Sequence, residues 1–167
     1  GVPLLVFAFA SAIVGFWLNW DRLGQYSAMA TAEWLDALPF FASALTRNFI
    51  SVASVNDRLF SLFIFIHVGV PLLMLFGLWF HIQRITRAAV FPPRALALVS
   101  TLGLLALAVF APVTSHAPAD LSLVPGPLRF DWFLLFVHPL VDASSASLVW
   151  ALLAAVLLTL FGLPFLP

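Results

Sequence analysis

The sequence contains no cysteine and no lysine, and charged residues of every kind are scarce. Without cysteine the chain can form no disulfide, iron–sulfur cluster, thiolate metal site or covalent c-type haem attachment. A bound metal must therefore be held by histidine, methionine or carboxylate. The seven basic residues, all arginine, balance seven acids, and the resulting net charge of zero argues against nucleic acid as a partner.

What the chain has in abundance is apolar side chains. Of its 167 residues 63% are hydrophobic and only 8% are charged, and the mean hydropathy is +1.12. A soluble domain carries about 25% charged residues. So few charges cannot cover a water-exposed surface, and we therefore predict an integral membrane protein that contacts lipid.

Apolar runs and loops alternate along the chain. A helix needs about 20 apolar residues to cross a bilayer. We predict an all-α fold with one membrane domain, 1–167, and four transmembrane helices at about 1–20, 59–82, 95–112 and 146–166. The connections 21–58 and 113–145 contain all the acids and predict short amphipathic helices on the membrane surface. The first residues are already apolar and lack a methionine, so we expect a piece of a longer chain.

The charges of the connections predict an orientation. Residues 83–94 carry Arg84, Arg87 and Arg94 without any acid. The positive-inside rule places this turn in the cytoplasm and the acidic connections outside. The chain is therefore predicted to be a multi-pass protein of a bacterial inner (cytoplasmic) membrane.

Two histidines close one apolar run, HVGVPLLMLFGLWFH, which ends at His67 and His81. Fourteen residues advance about 21 Å along a helix and make nearly four turns, so the two rings share a face near opposite leaflets. Intramembrane ionisable residues are functional candidates, and imidazole is the usual axial ligand of b-type haem. The alternative is that each ring bonds to backbone or water at an interface.

Gly1 and Gly15 repeat the same fourteen-residue interval on the first apolar segment. Glycine permits close approach of a flat group to the backbone. Small residues also serve simple packing between membrane helices, and this interpretation stays open. Together the two intervals indicate two helix faces at matched depths: the face with His67 and His81 offers ligands, and the face with Gly1 and Gly15 leaves room for a flat group.

Four stretches together resemble the cytochrome b subunit family of quinol–cytochrome c oxidoreductase and related cytochrome bc-type complexes: GVPLLVFAFASAIVGFWLNW, WDRLGQYSAMATAEWLDALP, SVNDRLFSLFIFIHVGVP and VPGPLRFDWFLLF. The resemblance covers helices three to six of an eight-helix bundle. It implies that Gly1 and Gly15 press on two haem planes. It also implies that His67 binds the outer haem and His81 the inner haem.

The resemblance further implies partners and cofactors. The family takes the second axial ligand of each haem b from a helix that this sequence does not contain. We expect that helix upstream in the same gene or on a companion chain. The implied function is a di-haem b-type subunit of a multisubunit complex, which transfers electrons between quinone or quinol and a periplasmic cytochrome c or other redox subunit.

The outer quinol site departs from the family. The sequence Phe130-Asp131-Trp132-Phe133 replaces the family motif P-E-W-Y, so Asp131 is the candidate catalytic proton acceptor. A solvated interfacial acid is the alternative. Asp21 stands where the family has a small residue, and His138 stands at a position that is usually aromatic.

Other interpretations stay open. Arg84 and Arg87 are candidate partners of haem propionates or quinone, or only charges that orient the chain. The chain could be a quinol-oxidising subunit, or it could only carry electrons between a periplasmic donor or acceptor and a single quinone site. Loss of quinol oxidation in Asp131→Asn would favour the first alternative. A rival function is a haem-less membrane anchor or scaffold of a respiratory complex. A transporter is disfavoured because the spans offer few polar residues to line a path.

Overall fold

The described part of the chain is all-α. The computed structural model describes residues 1–49, 51–87, 89, 91–112, 114–123, 126–131 and 133–166. Six α-helices lie within these ranges: α1 (Val2–Trp17), α2 (Arg22–Asp36), α3 (Asp57–Gln83), α4 (Arg94–Phe110), α5 (Val137–Ala143) and α6 (Ala146–Gly162). Two short 3-10 helices are also present, Thr46–Phe49 between α2 and α3 and Leu163–Phe165 directly after α6, and the same ranges hold no sheet. The all-α prediction is confirmed.

Two helices are long and apolar enough to cross a membrane. They are α3 and the continuous segment Ala146–Phe165, each with a mean hydropathy of 2.4 over its most apolar window. Only 6% of each window is buried within the protein, so most of these apolar side chains face outward. The apolar helices α1 and α4 have 16 and 17 residues, which span about 24–26 Å at 1.5 Å per residue. That is shorter than a hydrocarbon core of about 30 Å, and four membrane crossings remain a prediction.

The first helix ends earlier than the apolar run that encodes it. α1 stops at Trp17, although the sequence predicts a helix to residue 20. Trp20 adopts the left-handed backbone conformation, with φ of 43°, which a helix cannot continue. The next residue, Asp21, begins α2 by accepting a hydrogen bond from Gly24 N–H at 2.7 Å. The apolar run would continue the helix to residue 20, but the left-handed Trp20 and the cap at Asp21 end it earlier.

The chain divides into two compact units. The first contains residues 1–74 and 116–167, and the second contains residues 75–115. In the second unit, α4 buries none of its side chains. In the first unit, the core forms where α1, α2 and the start of α3 meet.

Aromatic contacts hold this core together. Trp17 of α1 lies with its ring centroid 5.3 Å from that of Phe63 on α3. Phe49, from the 3-10 helix, stacks on Phe63 with ring centroids 6.4 Å apart. Ala28 and Ala32 of α2 are buried beside them, because a small side chain lets the helices approach. This packing fixes α3 against α1 near His67.

Candidate functional site

His67 of α3 is bonded to α1 through Ser11. The ring nitrogen Nδ1 of His67 lies 2.8 Å from the carbonyl oxygen of Ser11. In return, Ser11 Oγ donates to the carbonyl oxygen of His67 at 3.1 Å. Ser11 is buried and His67 is half-buried. Each of the two side chains thus donates to the backbone carbonyl of the other residue, and the pair of bonds connects α1 to α3.

This bond determines which nitrogen of His67 carries the proton. A carbonyl oxygen only accepts, so Nδ1 must be the donor in the contact with Ser11. In the neutral ring the other nitrogen, Nε2, then has a lone pair. Histidines that bind metals almost always donate their second ring N–H to a carbonyl or carboxylate in this way. His67 is therefore held in a tautomer suited to metal ligation through Nε2.

Gly15 makes the close approach of α1 and His67 possible. A Cβ added to Gly15 would overlap Cε1 and Nδ1 of His67 and would lie 2.9 Å from Nε2. The flat group that packs against Gly15 is therefore the imidazole itself. Gly1 is exposed, and a Cβ there would meet nothing within 4 Å. The two glycines thus have different surroundings.

His81 lies in the last turn of α3 and is exposed. Its carbonyl oxygen accepts the N–H of Arg84 at 3.1 Å, in the turn that ends the helix. Arg84 and Arg87 are both exposed in this turn, and Arg87 has a left-handed φ of 61°. His81 and the two arginines belong to the second unit.

His67 offers one imidazole nitrogen to a metal. Within the described ranges, no three histidine, aspartate or glutamate side chains cluster to hold a metal. A haem iron takes four nitrogens from the macrocycle and requires only axial ligands from the protein. A single neutral imidazole with its Nδ1–H already bonded, as at His67, fits that requirement. The residues present thus fit an axial position of haem b at His67.

Asp131 caps the turn that leads into α5. Its Oδ1 accepts the N–H groups of Phe133 at 2.9 Å and Leu134 at 2.5 Å. Its carbonyl oxygen accepts the N–H of Leu135 at 3.1 Å. Trp132, the third residue of the predicted motif, lies outside the described residues. The carboxylate is half-buried and has a backbone-capping role, whatever further role it has.

Asp21, the charged replacement for a small residue, has a structural explanation. Its carboxylate is buried and accepts three hydrogen bonds, from Asn19 Nδ2 at 3.0 Å, Gly24 N–H at 2.7 Å and His116 N–H at 2.9 Å. It caps α2 and also ties the segment that begins at His116 to that helix. A buried carboxylate with several donors is satisfied without a charged partner.

His138 fastens α5 to α2. The ring is buried; its Nε2 lies 3.0 Å from Thr31 Oγ1, and its Nδ1 lies 3.3 Å from the carbonyl oxygen of Leu135. The ring also lies nearly parallel to that of Phe130, with centroids 6.4 Å apart. Both nitrogens are thus engaged within the protein, so the imidazole acts as a bridge between elements.

A cavity opens beside this bridge, between α2, α5 and the start of α6. Its volume is about 270 Å³, and its walls include Tyr26, Glu33, Trp34, His138 and Asp142. The hydroxyl of Tyr26 donates to Asp142 Oδ2 at 3.3 Å. Burial raises the pKa of Tyr26, and the negative charge of Asp142 and this hydrogen bond raise it further.

Trp34 lines the cavity and carries a buried donor. Its ring stacks on Trp150 of α6, with centroids 4.1 Å apart and planes within 7°. The indole N–H of Trp150 donates to the carbonyl oxygen of Trp34 at 2.9 Å. The Nε1 of Trp34 is itself buried, and it has no hydrogen-bond partner among the described residues. Such an unpartnered buried donor is the exception in folded proteins.

No protein-family model matches the chain. No solved structure matches it either. The function therefore rests on the sequence and on the geometry described above.

Sequence reasoning missed the cavity and found only parts of its wall. It identified His138 as a departure, but not Tyr26, Glu33, Trp34 or Asp142. The available signal was the spacing Tyr26–Ala30–Glu33, which places three side chains on one face of a helix. The opposite wall comes from a segment more than 100 positions later, so the spacing alone could not show a cavity.

Proposed function

We propose that this protein is an electron-transfer subunit of a membrane complex and uses His67 and His81 as axial ligands of two b-type haems. The supporting observation is the bond from His67 Nδ1–H to the carbonyl oxygen of Ser11. This bond orients the imidazole and leaves Nε2 as the ligating nitrogen. Bound haem supplies a one-electron couple.

The residues of this chain have three tasks in that function. Ser11 and Gly15 hold the ring of His67 in one tautomer and one position against α1. The apolar side chains around them would exclude water from a bound iron and so tune its reduction potential. His81, in the last turn of α3 beside Arg84, is the axial ligand of the second haem.

The wider assembly is part of the same proposal. α1 and α4 join the two longer helices as membrane spans, in a bacterial inner (cytoplasmic) membrane, with the arginine turn in the cytoplasm. The second axial ligands come from a helix on another part of the gene product or on a companion chain. Electrons pass between quinone or quinol and a periplasmic cytochrome c or another redox subunit, and Asp131 accepts a proton from quinol at the outer face.

A haem-less anchor is the second candidate. The reciprocal bonds of Ser11 and His67 would join α1 to α3 without any cofactor, and this favours a purely structural histidine. The two candidates differ in whether His67 binds iron.

An optical experiment separates them. The complex is purified from its native membrane, and b-type haem is counted per chain by the pyridine haemochrome method. We expect two haems per chain, one in His67→Gln, one in His81→Gln and two in the control His116→Gln, because only the backbone N–H of His116 bonds to Asp21. Absence of haem from the unaltered complex would overturn the proposal and leave the anchor.

A further inference from the structure

A loop of apolar residues follows α2. Residues 37–45, called the 37–45 loop below, read ALPFFASAL, with no charged residue and with Ser43 as the one polar residue. Most of these side chains are exposed, and Phe40 is 83% exposed. A contiguous exposed apolar patch marks a surface that contacts lipid or another protein.

The two ends of the 37–45 loop are fastened together. Asp36, just before it, accepts the backbone N–H of Leu45 at 3.1 Å and that of Thr46 at 2.8 Å. Arg47, just after it, donates from Nε to the carbonyl oxygen of Ser43 at 3.1 Å. Because these bonds already restrict the loop, little conformational freedom is lost when its side chains make a contact.

Both flanks of the loop pack against the starts of the two helices that are long enough to cross a membrane. Before the loop, Trp34 stacks on Trp150 with ring centroids 4.1 Å apart. Trp150 lies four positions, or about 6 Å, into the segment Ala146–Phe165. After the loop, Phe49 stacks on Phe63, which lies six positions, or about 9 Å, into α3. The loop is therefore held at the level where both helices begin.

This level favours lipid as the neighbour of the loop. Tryptophan is enriched at membrane–water interfaces, and the stacked pair Trp34 and Trp150 lies beside the loop. The windows of the two long helices are only 6% buried, so the loop adjoins surface that is itself apolar and outward-facing. The apolar side chains of α2, among them Leu23, Ala28 and Ala32, are instead buried within the protein. The exposed apolar surface that follows α2 is that of the loop.

We propose that the 37–45 loop inserts into the outer membrane interface and holds the end of α2 at a fixed depth beside α6. Its partner is lipid at the boundary between headgroups and acyl chains, where interfacial apolar groups lie. The proposal rests on the part of the proposed function that makes α3 and α6 membrane spans. It requires neither haem nor quinone.

Spin labels measure the depth of the loop. The chain has no cysteine, so Phe40→Cys gives it one labelling site, and labelling of the unaltered complex gives the background from companion chains. The labelled complex is reconstituted into phosphatidylcholine vesicles. Collisions of the label with oxygen, which concentrates in hydrocarbon, are compared with collisions with a water-soluble nickel chelate. We expect a label at residue 40 to collide several-fold less often with nickel, and more often with oxygen, than a label in Ser122→Cys.

Three further positions calibrate the measurement. Ser122 is the water reference, because it is exposed and donates to the exposed carboxylate of Asp120. Val156→Cys, near the middle of the segment Ala146–Phe165, is the hydrocarbon reference. Ala44→Cys lies in the same loop and keeps Phe40 in place, so its label should give the same interfacial depth as the label at residue 40.

The outcomes separate this inference from the proposed function. If the label at residue 156 lies in hydrocarbon but the labels at residues 40 and 44 meet nickel as often as the label at residue 122, the insertion of the loop is refuted and the spans stand. Labels in the loop that are shielded from both nickel and oxygen would refute insertion in favour of a protein partner. If the label at residue 156 also meets nickel freely, the membrane spans are refuted together with the loop.

Discussion

The imidazole of His67 packs directly against the backbone of Gly15, at a point where any Cβ would overlap the ring. The two residues lie on different helices, and the same ring donates its Nδ1–H to Ser11, one turn earlier on α1. Glycine at position 15 is therefore a packing requirement of histidine at position 67. This dependence is directly testable.

Gly15→Ala should displace the ring of His67 and break its bond to Ser11. Overpacking of this kind typically destabilises by about 1–3 kcal/mol. Thermal unfolding of the purified protein, together with its haem count, measures both effects. Gly77→Ala on α3 is the matched control, since a Cβ there meets nothing within 4 Å and alanine favours the helix. Equal stability and equal haem content in the two variants would contradict this account of Gly15.

Asp21→Ala should destabilise the first unit by about 1–3 kcal/mol. The change removes the cap of α2 and leaves the backbone N–H groups of Gly24 and His116 without their acceptor. Asp21→Asn keeps a side-chain oxygen and should lose much less. Denaturant unfolding of the two variants gives the comparison, and a loss in Asn as large as in Ala would show that charge, not capping, matters here.

Tyr26 should ionise at a higher pH than an ordinary tyrosine. Burial is the main cause of its raised pKa, followed by the charge of Asp142 and their hydrogen bond. The chain has one tyrosine, so tyrosinate absorbance in the near-ultraviolet reports this residue without assignment. Asp142→Asn should move the titration down towards the ordinary value of 10.0, and Asp57→Asn should leave it unchanged.

The same pKa predicts how stability depends on alkaline pH. Because folding raises the pKa of Tyr26, its contribution is complete below the ordinary value of 10.0 and is lost as pH rises through the folded value. Tyr26→Phe should remove this part of the alkaline loss of stability. An unchanged alkaline unfolding profile in Tyr26→Phe would show that the phenol is not linked to folding.

Asp36 should have the opposite pH dependence. Burial alone raises its pKa, but hydrogen bonds from Thr46 and Leu45 and the charge of Arg47 lower it below 3.8 overall. Its ionised form therefore stabilises the fold above the ordinary value, and this contribution is lost as pH falls through the folded value. Thr46→Val should melt at a lower temperature than the unaltered protein at neutral pH, and the difference should shrink in acid. A difference that persists in acid would point to packing of Thr46 instead.

Asp131→Asn should separate the capping role of this residue from proton transfer. Asparagine keeps an oxygen for the N–H groups of Phe133 and Leu134, so folding should be preserved. Quinol oxidation by the purified complex should fall by at least about tenfold, since the amide cannot accept the proton. An unchanged rate of quinol oxidation would identify Asp131 as a cap only. It would favour a subunit that carries electrons between a periplasmic donor or acceptor and a single quinone site.

Several elements could be predicted because their causes are local. The apolar runs around α3 and α6 are visible in the sequence, and helices form there within four residues of the predicted bounds. The end of α1 was harder to predict. An apolar run continues past Trp17, and only the left-handed Trp20 and the cap at Asp21 show where the chain turns.

The candidate site divides in the same way. Spacing within one helix identified His67, and the resemblance of Phe130-Asp131-Trp132-Phe133 to a family motif identified Asp131. Neither could show that Asp131 caps a turn, or that the flat group against Gly15 is His67 itself. Tyr26 and Asp142 are 116 positions apart, and the residues around each one do not predict their hydrogen bond.

The sequence by itself determined that this is a chain of apolar helices with His67 and His81 at the two ends of one apolar run. It could do so because hydrophobicity and helical spacing are properties of neighbouring residues. Only the tertiary structure decided which nitrogen of His67 is left for a ligand, what lies against Gly15, and that a cavity forms beside Trp34. These features depend on the fit of side chains from distant segments. Many pairings of apolar helices bury similar area, and shape and hydrogen bonding choose among them.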